Sequence, residues 1–139
     1  MLTPDTSPGF LLWRLTLRWQ REIAAALDPL GLTHVQFVLL ATTWWLNSAE
    51  QAPNQLAVAT AAGTDVKMTS QVLRKLEDKG LLTRETDPAD TRAKLLRVTP
   101  AGAELATRAI AVVEATDTEF FRRVPDQPSL LAALRSLAD

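Results

Sequence analysis

The sequence predicts a mostly α-helical fold that carries one small β-hairpin. Three observations lead there. Apolar residues recur at the 3–4 residue spacing of a helix through most of the chain. One stretch, 81–99, changes to a two-residue period around a turn rich in Asp and Pro. Capping residues stand where the helical patterns begin: Thr33-x-x-Gln36 is a capping box, and Thr99-Pro100 an N-cap followed by a first-turn proline. The length of 139 residues implies a single domain with room for a sizeable core.

Taken in order, residues 1–7 are polar, and Pro8 opens a helix expected over Phe10–Leu27, ended by Asp28-Pro29. Its apolar residues cover more than one stripe, which suits a subunit interface. Arg14, Arg18 and Arg21 form a basic ridge along it, read as a solvated or salt-bridged face. Thr33–Leu46 follows as a largely buried helix, with His34, the sole histidine, expected on the surface at its start. After a loop at Asn47–Pro53, Asn54–Ala62 is a short helix, Gly63-Thr64-Asp65 a tight connection, and Val66–Gly80 a second helix. Leu81–Thr86 and Lys94–Thr99 are the strands. A helix from Pro100 to about Arg123 should bury Leu105, Ala109, Val112, Thr116 and Phe120, leaving Glu104, Glu114, Asp117 and Glu119 to face the arginine ridge. Pro125 and Pro128 break the chain before a last helix, Ser129–Leu137.

The centre of this pattern is 54–99: helix, short turn, helix, then a hairpin. That is a winged helix-turn-helix. Val66–Gly80 has two faces. Val72, Leu73 and Leu76, with Thr69 above them, form a buried stripe. Lys67, Ser70, Gln71, Arg74 and Lys75 point elsewhere and carry the donors that read base edges and phosphates in a major groove. The loop Asp87–Ala93 places Arg92 near its tip, where a guanidinium suits the negative potential of a minor groove. The chain is net −1, yet 54–99 holds eight Lys/Arg against six Asp/Glu, so its basic excess lies on this module.

The run Leu76-Glu77-Asp78-Lys79-Gly80-Leu81-Leu82-Thr83-Arg84, the loop Asp87-Pro88-Ala89-Asp90-Thr91-Arg92-Ala93-Lys94 and the return Leu96-Arg97-Val98-Thr99-Pro100-Ala101-Gly102 resemble the MarR (multiple antibiotic resistance regulator) family of transcription factors. The match covers about a third of the chain. Asp78 stands where the family usually has Lys, and Val98 where it has Leu. The resemblance implies a homodimer on a pseudo-palindromic site of double-stranded DNA, usually a repressor released by a small ligand. It implies DNA contacts from Lys67, Thr69, Ser70, Gln71 and Arg74, to which Lys75 and Lys94 are added. In the family the arginine matching Arg92 enters the minor groove, steadied by the aspartate matching Asp90. Residues 31–99 would form the DNA-reading part, and 1–30 with 100–139 the dimerisation helices.

Other chemistry finds no support. The chain has no cysteine, which excludes disulfides, thiolate nucleophiles and thiol redox sensing. A lone histidine makes a metal site a poor reading, and no cofactor motif occurs: the five glycines are scattered and form no phosphate loop. No catalytic grouping is visible. No apolar run is long enough for a membrane span, so a cytoplasmic protein is expected. A winged helix used only for protein contact is the rival reading; it calls for exposed aromatics or aliphatics on the outer face of Val66–Gly80, which instead carries Lys67, Ser70, Gln71 and Arg74. For an effector, the four tryptophans Trp13, Trp19, Trp44 and Trp45 are candidates to line a crevice for a small, mostly apolar aromatic acid, with Arg14 for its carboxylate.

Overall fold

Side-chain caps set the helix starts in the computed structural model, which describes residues 1–138. Ser7 Oγ accepts the Phe10 amide, and Pro8 begins helix α1, Pro8–Leu27, two residues ahead of the expected Phe10. A 3-10 turn, Asp28–Leu30, and Gly31 lead to α2, His34–Ser48, which starts one residue later and ends two residues later than expected. There the Thr33–Gln36 capping box is complete, each side chain taking the other's backbone N–H at 3.2 Å. Asn54 caps α3, Gln55–Ala62, through the Ala57 amide at 2.8 Å. Asp65 caps α4, Val66–Asp78, through the Met68 amide at 2.9 Å. Helix α4 stops two residues before Gly80, whose φ of +75° turns the chain so that the Leu81 amide reaches Leu76 O. Strands β1, Leu82–Thr86, and β2, Lys94–Val98, pair antiparallel with Leu82 opposite Val98 and Thr86 opposite Lys94. Thr99 then caps α5, Pro100–Phe120, and Asp126 accepts the Ser129 amide at the start of α6, Gln127–Ala138. Helix α5 ends three residues short of Arg123, and α6 starts two before Ser129.

Helix α2 lies in the middle and packs against α1, α3, α4, α5 and β2. Its Leu39 and Leu40 meet Ile23 and Leu27 of α1, Val58 of α3, Leu73 and Leu76 of α4, Leu82 and Leu96 of the hairpin, and Ala106, Ala109 and Val113 of α5 in one buried cluster. Each large side chain fully withdrawn from water there contributes roughly 1.5–3 kcal/mol. The hairpin is anchored to α2 by one amide: Asn47 Nδ2 donates to Leu96 O at 3.1 Å, and Asn47 Oδ1 accepts the Val98 amide at 2.9 Å. The Leu96 amide donates to Pro53 O at 2.8 Å, tying β2 to the chain entering α3.

Helix α5 presents a different face to this core from the one expected. Of the expected stripe Ala109 is buried, together with Gly102, Ala106 and Val113, whereas Leu105, Val112, Thr116 and Phe120 are only half-buried. Small residues win the inner face because the helix approaches backbone there. A Cβ on Gly102 would sit 1.9 Å from Leu81 O. The bulky apolar residues are left on the flank, as they are on α1 (Leu12, Trp13, Leu15) and α6 (Leu131, Leu134, Leu137), all exposed. Among the described residues no single helix is long and apolar enough to cross a membrane.

Gly102→Ala should therefore destabilise the fold by about 1–3 kcal/mol or more, since overpacking against backbone has no side chain to yield. The urea midpoint should fall with the slope unchanged. An unaltered midpoint would show that α5 can move away from Leu81 without loss.

Candidate nucleic-acid interface

Helix α4 buries Thr69, Leu73 and Leu76 and turns Lys67, Gln71, Arg74 and Lys75 to solvent, with Ser70 half-buried at the edge. The caps leave this face free, because Asp65 is occupied with the Met68 amide. Thr69 is corrected from a DNA contact to a structural residue. It is wholly buried, and its hydroxyl donates to Asp65 O at 2.7 Å and lies 2.6 Å from the Thr64 hydroxyl. It holds the turn before α4 and presents nothing to a ligand.

The hairpin tip, the wing, closes on itself. Asp87 and Ala93 pair across its base, Asp87 Oδ1 accepts the Ala89 amide, and Asp90 Oδ1 accepts the Arg92 amide at 3.0 Å. The Arg92 side chain is 93% exposed, and its Nε lies 3.4 Å from the same Asp90 oxygen. Asp90 thus fixes the direction of Arg92 without hiding its charge. Lys94 Nζ donates to Thr86 Oγ1 at 3.1 Å, and Arg97 pairs with Glu85 across the strands at 2.9 Å. The start of α4 and the wing border a common hollow, which Val66 lines from one side and Arg92 and Lys94 from the other.

The tryptophans do not share a pocket. Trp19 lines a crevice with His34, Val35 and Val38 that reaches Ala62 and Thr64 at the α3–α4 connection, and it is the only one of the four there. Trp44 packs against the core, whereas Trp13 and Trp45 are each 62% exposed. Arg14 lies on the other side of α1, in a hollow with Leu11, Leu15 and Arg18. His34 is half-buried, not a free surface residue: its ring meets Trp19 edge-on at 5.1 Å, and burial lowers its pKa below the ordinary 6.5 despite the opposing pull of Asp117. Asp117 accepts Trp19 Nε1 at 2.7 Å, and Arg18 stacks 4.8 Å over Phe120. These contacts, in place of the expected carboxylate pairs, join α1 to α5.

Comparison with known proteins settles the relationship. The model of the MarR family matches residues 32–94, from the start of α2 to the wing. The uncharacterized HTH-type transcriptional regulator YdcH of Bacillus subtilis is 40% identical over 96% of this chain and 91% of its own length. The chain belongs to the MarR family. A second relative, the HTH-type transcriptional repressor Rv2887 of Mycobacterium tuberculosis, is 36% identical over 98% of this chain and 96% of its own. Among solved structures, CouR from Rhodococcus jostii RHA1 bound to p-coumaroyl-CoA superposes with a TM-score of 0.83 at 29% identity, over 99% of this chain and 93% of CouR. A CouR repressor bound to a 23-mer DNA duplex gives 0.84 at 26% identity, over 100% and 99%. The protein is thus a MarR-family transcriptional regulator, not an enzyme.

Two further residues of this MarR-family chain, Lys79 and Arg84, matter to the interface by bracing α4. Lys79, which reads as one more basic residue at a helix end, donates to Gly31 O at 2.6 Å and Gln36 Oε1 at 3.1 Å, so it holds α4 to α2. Arg84, which reads as an alternating strand residue, is drawn under the wing toward Glu77 of α4 at 3.6 Å. Its spacing on the Leu82 face of β1 was the only available signal.

Because the folded chain lowers the His34 pKa, the unfolded chain takes up that proton first as pH falls. Stability from this group is full above the ordinary value of 6.5 and declines below it. Urea midpoints compared at about pH 7.5 and about pH 5.5 should fall less in His34→Gln than in the native protein. Equal falls would remove His34 from the acid response.

Proposed function

We propose that this regulator is a cytoplasmic homodimer that represses transcription by binding a pseudo-palindromic site in double-stranded DNA, and that a small apolar or aromatic acid releases it. One observation carries the DNA-binding part: the donor face of α4 and the Asp90-steadied Arg92 are both exposed, and a hollow lined by Val66 at the start of α4 and by Arg92 lies between helix and wing. The assigned contacts are Lys67, Ser70, Gln71, Arg74 and Lys75 in the major groove and Arg92 in the minor groove, with Asp90 orienting it and Lys94 beside it. The exposed apolar residues of α1 and α6, with the half-buried ones on the flank of α5, support dimerisation through 1–30 and 100–139. A two-fold axis there sets the two α4 helices about 34 Å apart, one turn of DNA.

For release, the reading rests on the Trp19 crevice. It joins a dimer helix, α1, to the connection that starts α4, so a molecule wedged in it favours one placement of α4 over another. Its walls, Trp19, Val35 and Val38 with the His34 ring, suit a flat apolar ligand, the class to which the p-coumaroyl group bound by CouR belongs.

Selection of binding sites from a random duplex library with purified protein tests the DNA reading. Arg92→Ala should weaken binding to every selected and unselected duplex by about 1–3 kcal/mol, with the fold unchanged. Unchanged affinity at moderate salt would sink the minor-groove assignment. Aromatic acids should quench the Trp19 emission over the concentration range in which they release DNA; a panel that leaves both signals untouched would leave a constitutive DNA-binding dimer.

A further inference from the structure

We infer, resting on the effector reading above, that His34 receives the carboxylate of an acid bound in the Trp19 crevice and takes up a proton as it does so, so that the regulator answers to effector and acidity together. A carboxylate drawn from water against apolar walls needs a partner for its charge. Arg14, the candidate from the sequence, lies in the hollow on the other side of α1. Among the described residues that line the crevice, His34 is the sole ionisable one. Two of its polar neighbours there are already engaged: the Thr33 hydroxyl accepts the Gln36 amide, and the Thr64 hydroxyl is hydrogen-bonded to Thr69. Gln20 remains, and it carries no charge.

The surroundings hold His34 where one more negative charge decides its state. Its ring is half-buried and edge-on to Trp19 at 5.1 Å, and among the described residues no hydrogen bond engages either ring nitrogen. Burial favours the neutral ring. Asp117 of α5, which accepts Trp19 Nε1 at 2.7 Å, favours the imidazolium, and burial prevails. No other charged group acts on the ring: α1 brings Trp19, Gln20 and Ala24 to the crevice, α2 brings Val35 and Val38, and the α3–α4 connection brings Ala62 and Thr64. A carboxylate beside the ring adds its pull to that of Asp117, and a charge-assisted hydrogen bond then forms from imidazolium to carboxylate. The proton comes from solvent, so the complex holds one proton more than the free protein and the free anion did.

The test uses full-length protein and two flat probes of one shape, cinnamate and its uncharged amide, titrated by calorimetry between about pH 6 and about pH 8, where cinnamate stays ionised. Cinnamate should bind about tenfold more tightly at about pH 6.5 than at about pH 8. Heats in buffers of different protonation enthalpy should show uptake approaching one proton per site. The gain should level off below the free residue's pKa, which lies under 6.5. Cinnamamide should show no trend. His34→Gln should bind cinnamate more weakly at the acid end, with the trend and the proton uptake gone. Urea midpoints check that the variant is folded, and the contrast between the two probes on native protein stands without it. A cinnamate affinity flat with pH, or a trend that survives His34→Gln, would overturn the inference and leave the crevice a purely apolar site. Binding of the amide alone would do the same. If neither probe bound, the effector reading itself would fall.

Discussion

The geometry of this regulator depends on one crowded junction. Where α4 ends and β1 begins, Gly80 O accepts the Thr99 hydroxyl at 2.7 Å and Leu81 O accepts the Thr99 amide at 3.0 Å. Gly102 lies against the same Leu81 carbonyl with no side chain between. The end of the reading helix, the root of the wing and the start of α5 are therefore one rigid piece. Any tilt of α5 is passed to α4 and the wing together, because packed backbone has no slack to absorb it.

The elements were legible in the sequence because their boundaries are local chemistry. Thr33 with Gln36, Thr99 with Pro100, and Gly63 and Gly80 each act within a few residues, so spacing alone locates them. The solvent face of α4 was legible for a similar reason: it follows from helical period and side-chain type. What the sequence hid was decided between elements. The buried face of α5 is set by its approach to Leu81, which favours Gly102 and Ala106 over the larger Leu105 and Val112. Thr69 has the right type and place for DNA but is turned inward by hydrogen bonds to Thr64 and Asp65. The four tryptophans are equivalent on paper, and only packing separates Trp19 in its crevice from the exposed Trp13 and Trp45.

The same partition explains the uneven distribution of apolar surface. The core around α2 is closed and holds the reading helix firmly, whereas α6 buries nothing and α1 buries only Ile23 and Leu27. Contacts at the α1–α5 seam are polar and aromatic, through Trp19 with Asp117 and Arg18 over Phe120. Such contacts keep the two helices in register without consuming the outer aliphatic faces.

The wing has a consequence for how such proteins diversify. Every hydrogen bond described for its tip runs between residues 87 and 93, and the strands below are held separately by Asn47 and Pro53. The tip is in effect a cassette, closed by its own two aspartates. Its length and sequence are decoupled from the core, so insertion, deletion or transplantation there leaves the scaffold's folding undisturbed. Variation in groove preference among related chains can then accumulate at this site while the junction at Leu81 stays fixed.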